Sequence, residues 1–213
     1  MCNQSEVSVK IAGADQATLV GEILADAFSG DPVMTWISRD PEYPKWAWPL
    51  AVPFFLPHNE VYVTENCLGA AMWLPPGVEL SIRPSLAMLW DAWRGFGIGS
   101  ILRFFRYMSI VEKHHPKDNH YYLFAIGVHS ASQGQGIGSA LLEHVLHECD
   151  RRKVGAYLEC STSRNLVFYQ RQGFEIQGEV ALPRNGPSLW LMYRQPLQAA
   201  SLGRTKGPGE LNR

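Results

Sequence analysis

Charge is scarce in this sequence, and what there is nearly cancels. Asp, Glu, Lys and Arg make up 18% of the 213 residues, and the formal net charge is −1. No run of Lys or Arg forms the basic stripe that nucleic acid demands, so no nucleic-acid partner is expected. Cysteine is sparse too. Cys2, Cys67, Cys149 and Cys160 show no metal-ligand spacing, and a chain of this length needs no disulfide staples, so a reducing cytoplasm is the expected setting. No apolar stretch reaches the roughly 20 residues of a bilayer span, so no membrane partner is expected. Residues 1–10 carry Glu6 and lack the apolar run of a signal peptide. There is no internal repeat.

What remains is a globular profile. Hydrophobic residues reach 46%, enough for a substantial core. One domain over 1–197 is expected, followed by a polar, glycine-bearing tail over 198–213 read as disordered.

Periodicity gives the elements. Val7 to Ile11 alternates like a strand, and Leu19, Ile23, Leu24 and Ala27 stripe a helix that Gly30-Asp31-Pro32 closes. Five prolines between Pro41 and Pro57 allow only short or kinked helices. Glu60 to Glu65 and Leu68 to Leu74 read as an antiparallel pair turning near Asn66. An aromatic block over 84–115, interrupted by Gly95, Gly97 and Gly99, reads as two helices with a glycine hinge. Then come a strand (121–129), the cleanest amphipathic helix (136–150), a strand (154–160), a short helix (165–171) and two strands (174–180 and 189–194). The alternation implies an α/β fold with a mixed sheet.

The segment Gln133-Gly134-Gln135-Gly136-Ile137-Gly138 joins a strand to the cleanest helix. Its glycines let backbone approach a ligand, and the helix start adds unpaired N–H groups and a positive dipole end. That combination suits a phosphate or pyrophosphate, although a tight turn that binds nothing uses glycine the same way. A dinucleotide fingerprint would need glycine at Ser139, and a phosphate loop would need Gly-Lys-Ser/Thr; neither is present.

Gln133-x-x-Gly136-x-Gly138 resembles the coenzyme A pyrophosphate motif of the GNAT N-acetyltransferases. Leu158-Glu159-Cys160-Ser161, Arg164-Asn165-Leu166-Val167-Phe168-Tyr169 and Gly173-Phe174 follow in that family's order. Ala70-Ala71-Met72-Trp73-Leu74-Pro75 and Phe28-Ser29-Gly30-Asp31-Pro32 are similar to segments of its puromycin N-acetyltransferase-like members. Ser130 stands where the family usually has proline.

The resemblance implies a mostly antiparallel sheet with splayed central parallel strands and helices on both faces. It implies acetyl-CoA as co-substrate, direct acetyl transfer to the primary amine of a small molecule such as an antibiotic or toxin-like amine, and no metal. Backbone of Ile126, Gly127 and Val128, the turn Gln133, Gly134, Gln135, Gly136, Ile137, Gly138 and Ser139, and Asn165 would hold the coenzyme. Asn165 would also serve as a helix cap. Tyr169 would protonate the leaving thiolate, its reference pKa of about 10 lying near that of a thiol. Glu159 would act as base or bind a cationic amine; Glu60 is the lesser alternative.

Trp73, Trp90 and Trp93 are expected to bind the acceptor through an apolar insert over the sheet, although tryptophans usually fill cores. His144 and His147 sit one helical turn apart, without a third metal ligand in view. His114 and His115 read as imidazolium at a helix end. Cys160 has no visible partner to make it a nucleophile. A protein or peptide acetyltransferase and a non-catalytic acyl-CoA-binding module are the competing functions. Either a monomer or a homodimer fits.

Overall fold

A computed structural model of the chain describes residues 7–79 and 81–197; the expected tail at 198–213 lies outside them. Seven strands form one mixed sheet: β1 (Val9–Ile11), β2 (Val61–Thr64), β3 (Gly69–Leu74), β4 (His120–Val128), β5 (Gly155–Cys160), β6 (Glu175–Ala181) and β7 (Ser188–Arg194). Their order is β1-β2-β3-β4-β5-β7-β6. Every pairing is antiparallel except β4 with β5.

The helices split between the two faces, as expected. On one face lie α1 (Ala17–Ala27), α2 (Pro32–Ile37), α3 (Tyr43–Ala51) and α4 (Leu86–His114), packed on a core that includes Ile23, Leu24, Trp48, Phe55 and Met72. On the other lie α5 (Ile137–Arg152) and α6 (Ser163–Arg171), over Leu141, Leu142, Val145, Leu158 and Phe174. Asp31 caps α2, its Oδ1 accepting from the N–H groups of Val33 (2.8 Å) and Met34 (3.0 Å), with Pro32 at the first helical position. The proline-rich stretch gives the short α3, with Pro49 inside it, then single 3₁₀ turns.

The aromatic block is α4, and it bends at Gly97. There φ is +76° and ψ 162°, a conformation open to glycine. Arg103 docks the second half by donating from Nε to the Ile37 carbonyl at 2.8 Å. No helix among the described residues is long and apolar enough to cross a membrane.

One irregularity positions the site. Met72 pairs with Ala125 but Trp73 with Leu123, so Phe124 is an extra residue in β4. Such a bulge bends its strand. The parallel β4–β5 ladder stops at the same level, with Leu123 against Leu158. Beyond it, among the described residues, β4 pairs only with β3, and Glu159 and Cys160 only with β7. The two strands have parted.

Candidate active site

A cavity of about 870 Å³ opens through the gap between the parted strands. It reaches from the glycine turn to the inner faces of α2, α3 and α4.

At one end is the start of α5. Gly134 (φ +77°) and Gly136 (φ +82°) both take left-handed backbone, with nothing within 4 Å of a would-be Cβ. Gly136 supplies no side chain to cap the helix. The first intrahelical bond runs from Ala140 N–H to the Gly136 carbonyl, so the N–H groups of Ile137, Gly138 and Ser139 face the cavity with the helix dipole behind them. A Cβ on Gly138 would lie 3.2 Å from Phe168. A Cβ on Gly127 would lie 2.7 Å from Ala27, so Gly127 lets α1 pack close on β4. Gln133, Gly134, Gly136 to Ser139, Ile126 to Val128 and Asn165 all line this end; Gln135 does not. Asn165 is the third residue of α6, not its cap, which leaves its amide for the cavity.

Asp26, at the end of α1, ties the turn down. Its Oδ2 accepts from the Ser130 N–H at 2.7 Å and lies 3.0 Å from His129 Nδ1. Those contacts, the backbone one first, hold its carboxyl below the usual range. Proline at position 130 could not make the backbone bond, which gives the serine a physical reason.

Glu159 is the first β5 residue past the paired segment. Its Oε2 accepts from the Tyr122 hydroxyl at 2.7 Å. Its buried Oε1 has no hydrogen-bond partner among the described residues. The Tyr157 hydroxyl approaches the same carboxylate without reaching hydrogen-bond geometry. Burial outweighs these tyrosines and pushes the carboxyl up to about 7. Glu60 lies off the cavity, accepting from Tyr62 at 2.6 Å.

Tyr169 is buried between Phe168 and Phe174 (ring centroids at 5.1 and 6.0 Å), and it lines the cavity. Burial raises its phenol above the reference value that made proton transfer to a thiol look balanced. The hydroxyl therefore stays protonated throughout neutral pH. Cys160 is also buried and raised, with its Sγ 3.1 Å from the Thr162 carbonyl, an inert thiol.

The tryptophans depart from expectation. Trp73 is fully buried in the core beneath α5 and lines no part of the cavity. Trp90 and Trp93 are 55% and 48% exposed, stack on each other at 4.8 Å, and lie on the outer side of α4. The helix turns Met88, Leu89, Ala92, Phe104, Tyr107 and Met108 inward instead. His115 also departs. Burial and the neighbouring His120, at 3.0 Å between Nε2 atoms, push it down to about 4, so it is neutral and not an imidazolium. His144 packs its ring on Tyr62, and no group of three or more His, Cys, Asp or Glu among the described residues could hold a metal.

Three residues that sequence reasoning did not assign belong to the site. Tyr122 holds Glu159. Asp31 lines the cavity and accepts from the Ser161 hydroxyl. Burial raises the Tyr107 phenol, and the charges of Glu159 and Asp31 add to it. An Asp beside Pro and tyrosines amid apolar runs carry no signal that separates a site from a cap or a core.

Comparison with known proteins agrees with this geometry. Residues 104–176 match the acetyltransferase (GNAT) domain family. The chain is 26% identical over 190 residues to an uncharacterised N-acetyltransferase of Schizosaccharomyces pombe, covering 81% of this chain and 77% of the relative. Its fold is similar to that of a histone acetyltransferase HPA2 and related acetyltransferase from Corynebacterium glutamicum, with TM-score 0.63, 20% identity, and coverage of 92% of this chain and 99% of the other. It is also similar to arylalkylamine N-acetyltransferase 2 from Aedes aegypti, with TM-score 0.61, 15% identity, and coverage of 90% and 99%. The matched segment holds the bulged β4, the glycine turn, α5, β5 and α6, and these similarities together support an N-acetyltransferase.

Proposed function

We propose that the protein transfers the acetyl group of acetyl-CoA directly to the primary amine of a small molecule, with Glu159 as base and Tyr169 as acid. One observation carries the reading: Glu159, whose buried Oε1 has no hydrogen-bond partner among the described residues, lines the same cavity as Tyr169 and the uncapped start of α5. The residues present fit a coenzyme. The N–H groups at the α5 start and Arg164 and Arg171 of α6 suit its phosphates, and the β4 edge beyond Leu123 is free to pair with its extended arm.

Acetyl-CoA supplies the thioester carbonyl that the amine attacks. Glu159, ionised above about pH 7, takes a proton from the ammonium and leaves a nucleophilic amine. Tyr169 gives its proton to the departing sulfur as the C–S bond breaks and regains the one that the newly acylated nitrogen sheds, and Glu159 returns its proton to solvent. Asn165 orients the coenzyme from the other wall.

A protein or peptide acceptor is the second reading, since one structural relative is a histone acetyltransferase. The inward face of α4 roofs the cavity with apolar side chains, which favours a small acceptor over a polypeptide. A thiol-release assay with acetyl-CoA over a panel of amines, puromycin and peptides included, tests the reading. Turnover of a small amine is expected. Turnover of peptides alone overturns it.

A further inference from the structure

The cavity is electrically two-ended. Its charged lining residues are Asp26, Asp31, Glu159, Arg164 and Arg171. Both cations belong to α6, which packs Phe168 against Gly138 at the coenzyme turn. Asp26 is already engaged by His129 and Ser130. That leaves Asp31 and Glu159. Among the described residues every donor to them is neutral: the Val33 and Met34 N–H groups and the Ser161 hydroxyl for Asp31, and the Tyr122 hydroxyl for Glu159. Among the described residues neither carboxylate has an ion-pair partner.

Two carboxylates withdrawn from water without a counter-ion are costly, and burial raises both. A ligand that brings one cation removes the cost. The rest of the acceptor end is walled largely by apolar and aromatic side chains, Met34, Trp46, Phe54, Met88 and Phe104 among them, and presents no further free carboxylate among the described residues.

We propose, building on the small-amine reading above, that the acceptor is a hydrophobic monoamine and that Asp31 receives its ammonium group within the cavity that Glu159 also lines. The ammonium then gives one proton to the Glu159 carboxylate, forming a neutral amine and a carboxylic acid. Asp31 keeps its charge and holds the nitrogen in place. Tyr107, on α4, lines the same cavity.

The test uses the full chain, saturating acetyl-CoA, and octylamine against 1,8-diaminooctane. Wild-type protein is expected to favour octylamine in kcat/KM by at least about tenfold, the size of a charged group left unpaired. Asp31→Asn keeps the helix cap, because Asn caps as well as Asp. It is expected to raise the KM for octylamine on the order of tenfold, with the KM for acetyl-CoA and the Tm unchanged. Asp31→Ala loses the cap as well and is expected to lower the Tm, which separates capping from recognition. Preference for the diamine, or an octylamine KM unmoved by Asp31→Asn, overturns this inference alone. Coenzyme binding without turnover of any amine overturns the small-amine reading and this inference with it.

Discussion

Tyr122 on β4 donates a 2.7 Å hydrogen bond to Glu159 on β5, one residue beyond the point where the two strands stop pairing. The bond fixes one carboxylate oxygen, while the other is buried near the Tyr157 hydroxyl without a hydrogen-bond partner among the described residues. It also favours the ionised form against the burial that lifts the carboxyl to about 7. The acid must ionise to act as base, so kcat/KM for the amine is expected to rise with pH and level off above about 7. In Glu159→Gln that limb disappears and the rate falls on the order of 100-fold. In Tyr122→Phe the limb moves to higher pH, because a contact stabilising the carboxylate is lost. A pH–rate profile of the three proteins checks both statements.

The same carboxyl makes the fold sensitive to pH. Its folded value lies above the ordinary 4.5, so the native state holds a proton that the unfolded chain gives up. Stability therefore falls as pH rises from about 4.5 to about 7, by up to about 3 kcal/mol from this group. Glu159→Gln is expected to remove that fall. Its Tm relative to wild type should be higher at pH 8 than at pH 5, as thermal melts at the two pH values would show.

Tyr169 lacks any role in the hydrogen-bond network of the described residues, and its hydroxyl lines the cavity. Tyr169→Phe is expected to lower kcat on the order of 100-fold or more while leaving acetyl-CoA affinity within a few-fold of wild type. Steady-state kinetics with a binding titration separates this outcome from a packing defect, which would weaken both.

Inward and outward residues of α4 should behave differently. Phe104→Ala enlarges the acceptor end and is expected to raise the amine KM about tenfold, the transfer cost of a lost aromatic contact. Trp90→Ser alters only the outer face and should leave both Michaelis constants unchanged. Parallel kinetics on the two variants checks this.

Much of this arrangement was legible in the sequence. Spacing alone placed the α5 stripe of Ile137, Leu141, Leu142, Val145 and Cys149, and the glycine turn before it. The bend of α4 at a glycine was legible because three glycines interrupt a helical pattern. The turn, Asn165, Tyr169 and Glu159 do converge on one cavity. The rest depends on phase and register. Trp90 and Trp93 lie in the right helix but on its wrong side, since a bent helix has no single periodicity to read. Trp73 carries no mark that separates core from cleft. The bulge at Phe124, which opens the strands, is set by the pairing of β4 with β3, two segments far apart in sequence. In the sequence Asp31 is only part of the Gly30-Asp31-Pro32 stop after a helix; it caps the next helix, and its place in the cavity arises only when Ser161 is folded against it.

The account stands on coenzyme binding at the uncapped start of α5, and a calorimetric titration with acetyl-CoA tests it most directly. Micromolar affinity, about −8 kcal/mol, is predicted for the wild-type protein, with marked weakening in Gly136→Val, where a β-branched residue cannot take the left-handed backbone. No binding at millimolar acetyl-CoA would mean that the Gln133–Gly138 segment is only a turn, and would contradict the account.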